Sequence, residues 1–232
     1  MVVHGIGLFV ALAGASQDTL ETVVLPGQKG FVQVPIRRTS EALGLTLHAD
    51  AKTGAITIND RPITPSHTLP GRITLMKVRD LEPLGVQVSY DAATELTTLS
   101  FKDKTVTVKP GEKRVVVNKS EQKLRAYQGG LLVFETRVST GKRGHGTPSG
   151  SFTAGPEKSV FRRSSLYENS PMPFSIQIEG HVFMHGYHSV PRYPASHGCI
   201  RLPMTGKNAA KWLFKWVDLG TPITVGNSWD ES

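Results

Sequence analysis

Apolar residues along the first hundred positions recur in short alternations broken by turns, not in long helical stripes. Leu45-Thr46-Leu47-His48, Ala55-Ile56-Thr57-Ile58, Val86-Gln87-Val88-Ser89-Tyr90 and Leu96 to Phe101 alternate with the period of a half-buried strand. Pro35 to Leu43 and Met76 to Leu84 carry helical spacing. Each ends at a glycine, Gly44 or Gly85, placed for the left-handed position that closes a helix. An Asp-rich turn follows each first strand. This order occurs twice. Arg38, Glu41, Leu43, Gly44, Asp50, Ala51, Thr53 and Thr57 align with Arg79, Glu82, Leu84, Gly85, Asp91, Ala92, Thr94 and Thr98 at one constant offset. A fixed period of this size indicates a duplicated supersecondary unit.

The texture changes after Lys109-Pro110-Gly111-Glu112. Arg114 to Asn118, Lys123 to Tyr127 and Leu131 to Phe134 read as strands, the last two joined into a hairpin by Gly129-Gly130. Phe174 to Ile178 and His181 to His185 form a second hairpin across Glu179-Gly180. Gly206 to Val217 is the one clear helix, with Ala209, Trp212, Leu213, Trp216 and Val217 on one face. Pro222 to Val225 closes the domain as a strand. The pattern predicts a mostly β chain with short helices, of the α+β class. Its divisions are 1–15, a leader; 22–108, a small duplicated α/β-type unit; and 113–227, a β-rich domain.

Composition narrows the partners. The 232 residues carry a net charge of +8, which favours anionic surroundings such as a polyanionic cell wall. The basic residues are scattered and no base-reading module is present, so no nucleic-acid partner is expected. Gly5 to Ala15 forms a short apolar run ending in Ala-x-Ala, the pattern of a secretory leader. It is too short to span a bilayer, and no other stretch reads as an integral membrane span. The expected location is extracytoplasmic, secreted or wall-associated.

The chemistry concentrates near the C-terminus. Cys199, the only cysteine, lies in Ser196-His197-Gly198-Cys199-Ile200-Arg201-Leu202, and His185-Gly186 precedes it. A lone thiol forms no internal disulfide, and a nearby base or cation turns it into a nucleophile. His185 is the candidate base. A backbone carbonyl, that of Gly186, is expected to fix its tautomer, because the motif offers no carboxylate. Gly198 permits a tight bend, and its amide and that of Cys199 are candidate oxyanion donors. His197 lines the same site in a structural or electrostatic role. Arg201 either grips a substrate carboxylate or braces the loop. Tyr187 and Tyr193 are candidate cleft residues or solvent-facing loop residues. Competing readings of Cys199 are a buried apolar thiol and a zinc site with His185 and His197, although the spacing matches no recognised zinc signature. No cofactor and no metal are expected.

The run from Met184-His185-Gly186 through Tyr193-Pro194-Ala195-Ser196-His197-Gly198-Cys199-Ile200-Arg201-Leu202-Pro203 resembles the signature of the YkuD-type L,D-transpeptidases. Gln122-Lys123-Leu124, Ser139-Thr140-Gly141 and Thr147-Pro148-Ser149-Gly150-Ser151-Phe152 resemble that family's upstream motifs. The duplicated unit resembles the copper amine oxidase N-terminal-like domain. The first resemblance implies a β-rich catalytic domain and cysteine acyl-enzyme chemistry on peptidoglycan stem peptides. It releases D-alanine and forms 3→3 cross-links. It makes Cys199 the nucleophile, His185 the base and Gly186 the orienting carbonyl. Ser196, His197 and Gly198 become the oxyanion wall. The short gap between His185 and Ser196 implies a small lid. Water in place of the acceptor amine would make an L,D-carboxypeptidase. A non-catalytic wall-binding protein is the reading from another class.

Overall fold

The computed structural model describes residues 18–27 and 32–229. The leader expected at 1–15 lies outside them. The N-terminal half contains β1 (Asp18–Thr22), β2 (Gln33–Pro35), α1 (Ile36–Leu43), β3 (Leu47–Ala49), β4 (Ile56–Ile58), β5 (Arg61–Ile63), β6 (His67–Thr68), β7 (Thr74–Lys77), β8 (Gln87–Asp91), β9 (Leu96–Phe101) and β10 (Lys104–Pro110). A 3-10 helix over Val78–Leu84 stands where the second helix was expected, with Pro83 inside it. Proline removes an amide donor and obstructs a regular α-helix. The repeat is otherwise reproduced locally. Gly44 and Gly85 take the left-handed conformation, at φ 67 and 88. Asp50 Oδ1 accepts from the amides of Lys52 and Thr53, and Asp91 Oδ1 accepts from that of Ala93.

The C-terminal half contains β11 (Lys113–Asn118), β12 (Lys123–Gln128), β13 (Leu131–Arg137), β14 (Gly150–Thr153), β15 (Lys158–Arg163), β16 (Pro171–Glu179), β17 (Val182–Tyr187), β18 (Ile200–Pro203), α2 (Ala209–Trp216) and β19 (Pro222–Gly226). One sheet has the order β13-β12-β11-β19-β14 and another β15-β16-β17-β18. The chain is mostly β with short helices, the α+β class. The helix is shorter than its apolar face suggested. Asn208 caps it, accepting from the Lys211 amide at 3.0 Å, which satisfies an otherwise orphaned donor. Trp216 is buried, and Trp212 stacks on Phe134 at 4.1 Å.

Apolar side chains form separate clusters. One gathers Val34, Ile36, Leu43, Ile58, Met76, Leu81 and Leu99 from the N-terminal half. The other fills the space among β11, β12, β16, β17, β18 and α2, and it also takes Val23, Leu25, Leu69 and Leu75 from the N-terminal half. Those residues tie the halves together by apolar burial, the dominant driving force in folding. Polar contacts reinforce the seam. Gln128 Oε1 accepts from the Val24 amide, and its Nε2 donates to the Gly111 carbonyl. A Cβ at Gly111 would meet the Gly129 backbone at 2.6 Å, so the crossing requires glycine. Among the described residues, no helix is long and apolar enough to cross a membrane.

Candidate active site

Strands β17 and β18 run parallel, with His185 paired to Arg201 and Met184 to Ile200. The chain leaves β17 at Tyr187 and returns through the Ser196–Cys199 turn into β18. This places the histidine and the cysteine motif at one end of adjacent strands. A third segment clamps the turn. Ser139 exchanges both backbone hydrogen bonds with Arg201, and Thr140 O accepts from the amides of Ala195 and Ser196. The Lys142 amide donates to Ser196 O at 2.9 Å. Gln122, buried, donates from Nε2 to Thr140 Oγ1 and accepts the Thr140 amide, each at 2.8 Å. The Gln-Lys-Leu and Ser-Thr-Gly segments are therefore structural supports for the cysteine turn. Thr147 Oγ1 donates to Gly198 O at 2.7 Å and accepts from the Gly141 amide at 2.8 Å. Its hydroxyl links two loops. A Cβ at Gly141 would lie 1.9 Å from His145 O, which no real side chain tolerates.

His185 is 5% exposed, with its Nδ1 2.9 Å from the Gly186 carbonyl oxygen. A carbonyl only accepts, so Nδ1 carries the proton and Nε2 is left as a base. Burial pushes the His185 pKa down to about 4. The Gly186 bond opposes this shift and the Arg201 charge adds to it. The imidazole is neutral at pH 7. Cys199 is half-buried. Burial raises its thiol above the ordinary range, partly offset by the Phe183 backbone amide and the charges of Arg201 and Arg162. The thiol donates to the His181 carbonyl at 3.6 Å, and no hydrogen bond joins it to His185.

Ser196 is buried. Its Oγ donates to Cys199 O at 2.5 Å and accepts the Gly198 amide at 3.2 Å. Sequence reasoning offered the Gly198 amide as an oxyanion donor. Here it is spent inside the turn, leaving the Cys199 amide as the motif's remaining candidate. Gly198 itself sits at φ 117, where only glycine is comfortable. His197 is exposed. Its ring meets Tyr167 at 4.8 Å and His145 at 4.9 Å. Desolvation, then Lys142, His145 and Arg201, lower its pKa.

A cleft of about 560 Å³ brings together His185, Tyr187, Ser196, His197, Cys199 and Arg201. Arg201 lies over the Tyr187 ring at 4.1 Å. Tyr193 does not line this cleft. Its side chain is 64% exposed, and it contributes through its carbonyl, which accepts from Ser139 Oγ. The far wall comes from residues that sequence reasoning missed. Arg162 is the penultimate residue of β15, and Ser164 to Ser170 form the loop into β16, with Leu166 and Tyr167 lining the cleft. Arg162 pairs with Glu157 and lies 4.2 Å over the Phe183 ring. The gap between His185 and Ser196 contributes Tyr187 to the lining, opposite the Ser164–Ser170 loop. The exposed Val160-Phe161 pair followed by a Ser-rich stretch was the available signal. Among the described residues, no group of three His, Cys, Asp or Glu side chains is placed to hold a metal ion.

Residues 112–225 match the family model described as YkuD, the L,D-transpeptidase catalytic domain. No curated protein matches the sequence. Similar solved structures include an L,D-transpeptidase from Stackebrandtia nassauensis, 26% identical over 51% of this chain and 56% of that one, TM-score 0.45. Another, from Xylanimonas cellulosilytica, is 27% identical over 51% of this chain and 64% of that one, TM-score 0.45. The matches thus span less than two thirds of those chains. An L,D-transpeptidase from Mycobacterium smegmatis is 19% identical over 92% of this chain and 96% of that one, TM-score 0.44.

Proposed function

We propose, from the match of residues 112–225 to the YkuD family of L,D-transpeptidase catalytic domains, that the protein forms 3→3 peptidoglycan cross-links by cysteine acyl transfer. The observation that carries this reading is a lone thiol sharing a cleft with a buried neutral imidazole whose Nδ1 is fixed by a carbonyl. Cys199 Sγ attacks the carbonyl carbon of the diaminoacyl third residue, and its proton passes to His185 Nε2. The C–N bond to the terminal D-alanine breaks. His185 returns the proton to the departing amine, and a thioester remains. An acceptor amine on a second stem attacks, gives its proton to His185 and expels the thiolate, which recovers a proton. The Cys199 amide stabilises the oxyanion, and Arg201 holds a stem carboxylate. Extracytoplasmic action at the wall follows from that substrate.

The test is incubation with disaccharide-tetrapeptide, read by mass spectrometry beside Cys199→Ala. Cross-linked dimer that has lost one D-alanine, absent in the variant, supports transpeptidation. Tripeptide alone identifies an L,D-carboxypeptidase. Dimer formed equally by Cys199→Ala overturns the cysteine mechanism.

A further inference from the structure

The duplicated unit carries a cleft in each copy, and the two clefts are built from equivalent positions. One, of about 370 Å³, is lined by Arg79, Val88, Tyr90 and Thr97. The other, of about 290 Å³, is lined by Arg38, Leu47, Ala49 and Ile56. These residues correspond pair by pair at the constant offset of the repeat. Each cleft opens between the start of a helical segment and the two-stranded hairpin that follows it. Duplication thus preserved a concavity as well as a fold. Concave sites with an apolar floor and a few placed polar groups are where small groups bind.

The linings indicate the ligand. Arg37, Arg38 and Arg72 surround the first cleft, and among the described residues its lining includes no carboxylate. The second adds Lys77 and Lys109 to Arg79, together with Glu82 and Glu95. Tyr90, at its edge, is 64% exposed. An exposed aromatic face suits the apolar face of a sugar ring. Glutamates accept hydrogen bonds from sugar hydroxyls. Arginines take carboxylates through paired hydrogen bonds. Two equivalent subsites suit a ligand that itself repeats, because linked contacts multiply affinity. Leu131 of the C-terminal half closes the first cleft, so a bound polymer would touch the half that holds the thiol.

We infer that the paired clefts bind an acidic glycan strand, a sugar polymer with regularly spaced carboxylates. The wall location rests on the reading above, but binding is measured without turnover. The probe is muramyl glycan freed of stem peptides, which leaves lactyl carboxylates exposed. Full-length protein is titrated with it, and with polyglycerol phosphate and single-stranded DNA. The glycan should bind most tightly and weaken with salt. Tyr90→Ala should weaken it about tenfold and the double variant Arg38→Ala/Arg79→Ala about a hundredfold, one factor of ten in Kd per lost anchor. Tyr90→Phe should restore it, which separates loss of a contact from loss of fold. Equal binding by all variants, or tighter binding of polyol phosphate or DNA, overturns the inference. All variants should retain wild-type transfer on soluble disaccharide-tetrapeptide. Loss of transfer in wild type with glycan binding intact would defeat the catalytic reading and leave this one standing.

Discussion

Alkylation of Cys199 across pH distinguishes a preformed thiolate–imidazolium pair from a neutral pair. Burial raises the thiol above its ordinary range, against the Phe183 amide and the Arg201 and Arg162 charges, so the resting group at pH 7 is the protonated thiol. The His185 pKa is about 4, so about one imidazole in a thousand is protonated at pH 7. Both partners are therefore neutral, and the proton must move as the sulfur attacks. Iodoacetamide reacts with the thiolate. Its rate at Cys199, followed by intact mass, should climb about tenfold per pH unit between about pH 6 and pH 8. His185→Gln should leave that slope in place, because the imidazole does not generate the resting thiolate. The same variant should slow acyl transfer by roughly a hundred- to ten-thousandfold, the usual worth of a general base. A pH-independent rate from about pH 6 upward that His185→Gln abolishes would show a preformed ion pair and refute the argument.

Other expectations concern the supports of the site. The His185 pKa is lowered on folding, so the unfolded chain binds more protons between pH 6.5 and about 4, and stability rises with pH across that window. About 3 kcal/mol should be lost as pH falls through it, read by urea unfolding, and His185→Gln should flatten the dependence. Thr147→Val strands the Gly198 carbonyl and the Gly141 amide, and should cost about 1–3 kcal/mol with a fall in kcat larger than any rise in KM. A thermal shift within error of wild type would mean that water replaces the hydroxyl. Gly186→Ala would drive a Cβ to 2.7 Å from Met204 Sδ and 3.1 Å from Ala210 Cβ. It should destabilise by about 1–3 kcal/mol, and Met204→Ala should relieve part of that loss in a double-mutant cycle.

Much of this arrangement was readable because periodicity and turn residues are local. Gly44 and Gly85 announced the ends of the helical segments, and Gly129-Gly130 announced the hairpin between β12 and β13. The same turn chemistry recurs at Asp50 and Asp91, whose carboxylates both accept nearby backbone amides. What stayed hidden depends on distant packing. Val23, Leu25, Leu69 and Leu75 look like interior residues of the first unit, yet they fill the apolar core of the second. Pro83 could be read as a breaker, but that the segment stays helical as a 3-10 turn, with Val78, Leu81 and Leu84 buried, was not visible. The loop from Ser164 to Ser170 carries polar turn residues, and only the fold brings it over His197. Tyr193 lies between the signature motifs, so proximity in sequence suggested the cleft, and the Ser139 hydrogen bond to its carbonyl instead fixes its backbone at the rim.

The resting thiol constrains how the proposed reaction begins. Sγ rests on the His181 carbonyl, whereas the proton must reach Nε2 of His185. The backbone around Cys199 cannot supply that change, because Ser196 Oγ ties both the Gly198 amide and the Cys199 carbonyl, and Thr147 ties the Gly198 carbonyl. Rotation about Cα–Cβ of Cys199 is the freedom that remains, and it costs a weak sulfur hydrogen bond. A rigid turn with one mobile side chain keeps the oxyanion donor in place while the nucleophile swings. His181→Ala retains the carbonyl and should leave transfer unchanged. Ser196→Ala, which loosens the turn, should lower kcat and also release the Gly198 amide to hydrogen exchange. Slow exchange at Gly198 in Ser196→Ala would show that another group holds the turn.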